Sequence, residues 1–171
     1  SGLFGPLARI LLAGALSAGL IWVGELLRRG VALPRRVADG LSATPLPAEH
    51  APLALTGAGT IGLFGTVYAA HALYGYLPEV VALALLALVG FAAIAAARLH
   101  GQALAGIGLV GSYAAPLLVG GGSDSRWPVA LYLGVVTAAG LAADDRRRTT
   151  WLGWPLITSA AVWTGLLILD Q

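Results

Sequence analysis

The sequence contains no cysteine, no lysine and no methionine, and only 11% of its 171 residues are charged. Without cysteine, the chain cannot form disulfides, cysteine-ligated zinc sites, iron–sulfur clusters or thiol nucleophiles. Without lysine, it cannot form a Schiff base with retinal or pyridoxal phosphate, and it lacks the lysine of a Walker motif. Because soluble domains carry about a quarter charged residues, this scarcity of charge indicates another class of protein.

Apolar residues make up 58% of the chain, and its mean hydropathy is +0.84. Apolar runs of about 18 residues or more, long enough to cross a bilayer as helices, recur along the whole sequence. The pattern predicts an all-α integral membrane protein in which residues 1–171 form a single helical bundle. Six transmembrane helices are predicted, over residues 3–27, 53–74, 78–97, 103–119, 128–143 and 154–169.

The arginines predict how the helices are oriented. Eight of them follow the first, third and fifth predicted spans: Arg28, Arg29, Arg35, Arg36, Arg98, Arg146, Arg147 and Arg148. Since cytoplasmic loops are enriched in positive charge, these residues are predicted to anchor the cytoplasmic side, with loop 28–52 inside and both chain ends outside. The predicted location is the bacterial inner membrane. The net charge of +2 is explained by these span ends, so no nucleic-acid partner is predicted.

Two glycine clusters match a nucleotide-binding motif, but each lies within a predicted apolar helix. "GAGTIG" (57–62) and "GIGLVG" (106–111) both match G-x-G-x-x-G, but that fingerprint requires a preceding strand. Inside an apolar helix, small residues spaced four apart instead allow two helices to approach closely. The predicted helix-packing pairs are Ala58 with Gly62 and Gly108 with Ser112.

The spacing of the glycines and prolines suggests an internal repeat. The two glycine clusters lie 49 residues apart, and Pro78 and Pro128, which open the third and fifth predicted spans, lie 50 apart. Spans two–three and four–five therefore read as two copies of one antiparallel hairpin. Copies with the same orientation would form tandem parallel repeats of about 50 residues.

His71 is the most conspicuous polar residue within a predicted span. It could be a structural histidine bonded to a nearby hydroxyl or carbonyl, an axial ligand of a haem or pigment, or the partner of Ser112 in an intramembrane hydrolase. A second axial ligand is missing, because His100 and His50 fall at the opposite side of the membrane. The glycine expected after such a catalytic serine is also missing. The structural interpretation is favoured, so no catalytic residue, cofactor or metal is predicted, and His71 remains the weak candidate for a cofactor.

Other polar and special residues are expected to serve structure. Glu25 lies three and four residues before Arg28 and Arg29, a spacing that predicts helical ion pairs. Pro116 is expected to end or kink the fourth span, and Trp163 is expected to be a packing residue. The mid-span hydroxyls are expected to bond their own helix backbone; they belong to Thr66, Tyr113, Thr137, Thr158 and Ser159.

Three stretches carry a resemblance to a known family. They are "GELLRRG" (24–30), "YAAHALYGYLP" (68–78) and "QALAGIGLVGSYAAPLL" (102–118). They resemble the bacterial family of predicted multi-spanning membrane proteins called domain of unknown function 2339 (DUF2339). The resemblance covers nearly the whole chain and implies an internal portion of a longer protein, which agrees with a chain that lacks methionine. It implies no activity and no catalytic residues.

Three functions are compatible with the sequence. The favoured one is a non-catalytic membrane scaffold or accessory subunit, whose partners would be the lipid bilayer and other membrane helices. The alternative is part of a transporter or channel for a small solute or a lipid-linked molecule, a class that usually places ionisable groups or broken helices at the midplane. A Ser112–His71 hydrolase is the third.

Overall fold

The computed structural model describes residues 5–31, 40, 48–119, 127–145, 157–159, 161–163 and 165. Within this part of the chain the regular structure is helical and no strand occurs, so the all-α class is confirmed. The long helices are α1 (Pro6–Arg28), α2 (Ala51–Tyr68), α3 (Glu79–His100), α4 (Gln102–Val119) and α5 (Trp127–Asp145). A 3-10 turn (Ala48–His50) precedes α2, and a π-helix (Ala69–Leu73) continues it. Residues 157–159, 161–163 and 165 are also helical.

Three helical segments of the described chain are long and apolar enough to cross a membrane, judged by length and composition: Pro6–Arg28, Ala51–Leu73 and Glu79–His100. The apolar stretch of α5, Val129–Ala138, is shorter. The six predicted spans are therefore not confirmed as a set.

Proline and glycine mark the ends of the helices. Pro6 occupies the first position of α1, where its fixed φ angle fits and its missing N–H costs nothing. After α1, Gly30 adopts a φ of +70°, and the Val31 N–H donates to Leu26 O over 3.0 Å, which satisfies a carbonyl at the helix end. Gly101, with a φ of +98°, is the single residue between α3 and α4.

The contact between α1 and α2 is built on glycine. Ser17 of α1 faces Gly59 and Gly62, and a Cβ atom placed on Gly59 would lie 2.5 Å from the backbone oxygen of Ser17. Further along α1, Gly24 faces Thr56, which lies earlier in α2. The two helices therefore run antiparallel, with backbones so close that only glycine fits at position 59.

Of the predicted pair Ala58 and Gly62, only Gly62 lies on the face of α2 that meets α1. Ala58 is exposed, whereas Gly59 and Gly62 are the residues that meet α1. Neighbouring residues differ in direction by about 100° around a helix. A spacing of four therefore identified the small residues of α2 but not the face that they present to α1.

The contact between α3 and α4 follows the same principle. Gly90 packs on the side chain of Ser112, and a Cβ atom on Gly108 would lie 2.9 Å from Cβ of Ala93 and 3.0 Å from Gly90 O. Gly108 and Ser112 thus lie together on the face of α4 that packs against α3. The apolar core lies between α3, α4 and α5 and is centred on fully buried Leu86, Leu104 and Val136.

The proposed hairpin repeat is not confirmed by the helix contacts. The closest packing joins α1 with α2 and α3 with α4, whereas the repeat grouped spans two with three and four with five. Helix α2 also contacts α3 and α4, and α5 packs mainly on α3. Glycine faces mark both of the closest pairs, although α3 and α4 are joined by a single residue and α1 and α2 by a long connection.

We expect Gly59→Ala to destabilise the protein by about 1–3 kcal/mol, because its methyl group meets backbone atoms of α1 that cannot move aside. Gly65→Ala on the same helix is the matched control, since a Cβ atom there has nothing within 4 Å. The control should be neutral or gain up to about 1 kcal/mol from helix propensity. Circular dichroism during SDS titration of the purified protein measures the stability of both variants. Equal changes in stability would contradict the close contact between Gly59 and α1.

Candidate functional site

Pro116 removes a backbone hydrogen bond in the middle of the core. It lies inside α4, where its missing N–H leaves the carbonyl oxygen of Ser112, four residues earlier, without its helical donor. The Tyr132 hydroxyl of α5 donates to that oxygen over 2.8 Å. Tyr132 and Ser112 are 5% and 0% exposed, so water does not supply this bond. A side chain of α5 thus replaces the N–H that α4 lacks.

The neighbouring residue Tyr113 adds a second bond to α5 and extends this polar network to the helix that carries Trp163. Its hydroxyl shares a 2.8 Å hydrogen bond with that of Thr137 in α5, and its carbonyl oxygen accepts a 3.2 Å bond from Trp163 Nε1. Trp163 also packs against the apolar core, as predicted. Thr66 bonds the carbonyl of Gly62 in its own helix, as expected for the mid-span hydroxyls, whereas the Tyr113–Thr137 bond joins two helices.

His71 is bonded to the backbone at the turn between α2 and α3. It lies in the π-helix, and its Nδ1 donates to Leu77 O over 2.8 Å. The bond spans the turn at Gly75, whose φ is +62°. This partner is a backbone carbonyl, which is one of the two kinds of partner expected if His71 has a structural role. The bond assigns the proton to Nδ1 and leaves Nε2 as the acceptor in neutral His71, so the ring could still bind a ligand through Nε2.

Ser112 and His71 do not form a catalytic pair. Ser112 packs on Gly90, which lies eleven residues after the start of α3 at Glu79, about 16 Å along the helix axis. His71 is bonded to Leu77, before α3 begins. The Ser112 hydroxyl is fully buried and has no hydrogen-bond partner. Serine enters the core here as a small packing residue, without a base beside it.

A charged cluster joins the ends of α1 and α3. Glu25 accepts two bonds from Arg28, of 2.8 and 2.6 Å, and a third of 2.6 Å from Arg29, which confirms the ion pairs predicted from their spacing. His100 Nε2 of α3 lies 3.6 Å from Glu25 Oε2. This contact was not predicted, because the two residues are 75 positions apart. It places Arg28, Arg29 and the exposed Arg98 at the same end of the bundle.

An apolar cavity of about 540 Å³ lies between α2, α3 and α4. Its lining includes Phe64, Gly65, Tyr68, Leu86, Gly106 and Ile107. A Cβ atom on Gly65 or Gly106 would have nothing within 4 Å, so both glycines leave open space. A cavity of this chemistry suits a hydrocarbon chain better than a polar solute. Among the described residues, no group of three or more His, Cys, Asp or Glu side chains could hold a metal ion.

Apolar helices packed on glycine, with polar atoms bonded internally, are the geometry of a membrane bundle. A family profile described as "Predicted membrane protein (DUF2339)" matches residues 1–170. The chain belongs to this family. No curated protein and no solved structure matches the chain. The resemblance seen in the sequence motifs is confirmed, and membership in DUF2339 establishes a membrane protein without assigning a role.

The structure brings together only some of the predicted site residues of this DUF2339 chain. Gly62, Gly108 and Ser112 pack helices together. Five of the predicted anchors lie outside the described residues: Arg35, Arg36, Arg146, Arg147 and Arg148. The bond from Tyr132 to Ser112 was missed, although a proline four residues after Ser112 signals a carbonyl in need of a donor.

We expect Tyr132→Phe to destabilise the protein by about 1 kcal/mol, because the carbonyl of Ser112 loses its donor in a dry core. Pro116→Ala restores an N–H at position 116, so the cost of Tyr132→Phe should shrink in that background. SDS unfolding of the four proteins in this cycle measures the coupling. Tyr76→Phe is the control, since Tyr76 is 49% exposed. If Tyr132→Phe lowered the stability equally in the wild-type and the Pro116→Ala background, the result would contradict a Tyr132 bond that replaces the N–H missing at Pro116.

Proposed function

We propose that this chain is a non-catalytic membrane scaffold or accessory subunit whose helices pack against other membrane helices. In this proposal six helices cross the bacterial inner membrane, the arginine-bearing connections lie in the cytoplasm and both chain ends lie outside. The partner helices belong to the rest of a longer parent chain or to separate subunits. Membership in a family of predicted membrane proteins supports the membrane location.

The outward face of α1 is the observation that carries this proposal. Only 11% of its most apolar window is buried within the chain, compared with 44% for α3. Among the described helices, α1 has extensive contacts with α2 alone. Leu16 and Trp22 are 69% and 65% exposed. A helix that is fixed on one side by glycine contacts and is otherwise uncovered leaves a whole face on which a further membrane helix can pack in place of lipid.

Hydrogen bonds between helices support the same proposal. The hydroxyls of Tyr113, Tyr132 and Thr137 bond neighbouring helices or one another, and the Trp163 indole bonds α4. These bonds fix helices relative to one another. A Ser112–His71 hydrolase is not proposed, because the two side chains lie at different depths in the bundle.

We expect a photo-crosslinking residue at Leu16, in native membranes, to form an adduct with another polypeptide or another part of the parent chain. The matched control is Leu83, which is 3% exposed and should give only crosslinks to α4 and α5. Mass spectrometry of the adducts identifies the partner. His71→Ala should leave the Leu16 adduct unchanged, whereas a His71-dependent ligand site would be lost. Crosslinks from Leu16 to lipid alone would contradict the scaffold.

The cavity between α2, α3 and α4 favours a second function, passage of a lipid-linked molecule. Its volume of about 540 Å³ and apolar lining fit a hydrocarbon chain. Pro116 lies in α4 beside Ala115, which lines the cavity, and leaves this helix without one backbone hydrogen bond. This alternative makes a hydrocarbon-bearing substrate a better candidate than a small polar solute.

For this alternative, we expect purified protein in liposomes to accelerate transfer of a fluorescently labelled phospholipid between leaflets. Gly65→Leu combined with Gly106→Leu should abolish the acceleration, because both side chains would fill the cavity. Gly134→Leu on α5 is the control, since it too has nothing within 4 Å of an added Cβ atom. A trace no faster than that of protein-free vesicles would exclude the alternative.

A further inference from the structure

His100 lies between two hydrogen-bond acceptors, one facing each nitrogen of its ring. Its side chain is 4% exposed, and its Nδ1 and Nε2 lie 3.2 Å from Ala96 O and 3.6 Å from Glu25 Oε2. A carbonyl oxygen only accepts, so the proton of a neutral ring belongs on Nδ1. Nε2 is buried without a hydrogen-bond partner and would then direct a lone pair at a carboxylate. The imidazolium form instead offers both oxygens an N–H.

Glu25 is well placed to receive that second N–H. It is held by Arg28 and Arg29 through three bonds of 2.6 to 2.8 Å, the environment of a carboxylate ion. Its side chain is 24% exposed, so the contact with His100 is only partly open to solvent. Charge-assisted N–H···O bonds measure about 2.7–2.9 Å. The present 3.6 Å separation is therefore short enough for a small movement of α1 towards α3 to complete the bond.

We propose that His100 and Glu25 form a proton-dependent joint between α1 and α3. Protonation of His100 joins the Arg28 end of α1 to the end of α3, and deprotonation sets two acceptors against each other and releases the contact. Because α1 has extensive contacts with α2 alone among the described helices, this joint is a direct link from α1 to α3, beside the contacts that α2 makes with α3 and α4. The inference is independent of the proposed scaffold role.

Arginines and exposed side chains make up the other charged groups near the joint. On α1, Arg28 and Arg29 stay charged at every physiological pH, as does Arg98 on α3. At the start of α2, Glu49 and His50 lie 3.7 Å apart, with side chains 79% and 59% exposed, so their contact is screened by water. Helix α4 begins with uncharged Gln102.

The joint can be tested by measuring a distance across it. The chain has no cysteine, so Trp22→Cys with Leu99→Cys places spin labels only at two exposed positions, 65% and 58% accessible. We expect a short, narrow distance distribution near pH 5 in lipid nanodiscs. It should become longer and broader by about pH 8.5, across the range in which histidine titrates. A distribution that is the same at both pH values would overturn the proposal.

Variants at the joint separate protonation from unfolding. His100→Gln keeps an N–H donor near the position of Nε2 and should hold the short distance at both pH values, whereas His100→Leu should give the long distance at both. Glu25→Gln should also abolish the pH dependence. His50→Gln is the matched control and should retain it in full. Persistence of the shift in His100→Leu, or its loss in His50→Gln, would overturn the assignment to His100.

Discussion

Close approach of helix backbones at glycine is the constraint on which the rest of this bundle depends. Lipid tails are as apolar as leucine, so burying apolar side chains between membrane helices gains little, and tight packing must supply the attraction. Gly59 against Ser17, and Gly90 and Gly108 between α3 and α4, bring the backbones into direct contact. Two antiparallel helix pairs result, α1 with α2 and α3 with α4. They determine which helix faces remain free to contact α5, lipid or partner helices.

The polar groups are arranged around these two pairs. A proline inside α4 would leave a carbonyl unpaired where no water is present, which is unfavourable in hydrocarbon. Tyr132 satisfies the carbonyl of Ser112, and Trp163 bonds the next carbonyl along. The segment of α4 around Pro116 thereby becomes the point at which α5 and the helix bearing Trp163 are positioned. At the Arg28 end, Glu25 and His100 bring α1 and α3 into contact, with His100 Nε2 3.6 Å from Glu25 Oε2.

The helix positions were predictable because each depends on local sequence. Apolar run length identified the helices, and proline and glycine marked their ends. The pairs of Glu25 with Arg28 and Arg29 were predictable for the same reason, since three- and four-residue spacing places them on one helical face. The packing face of α2 was not predictable. Small residues surround Gly59 on every side of that helix, and only the position of α1 decides which of them are used.

The sequence by itself determined the class of this protein, an apolar helical membrane protein of the DUF2339 family, because hydropathy and helix-end signals act over a few neighbouring residues. The tertiary structure alone decided which helices pair most closely, which side chain replaces the N–H missing at Pro116, and that His100 meets Glu25. These contacts join residues 20 to 75 positions apart. They depend on the angle and rotation at which helices cross, and local sequence patterns do not encode either quantity.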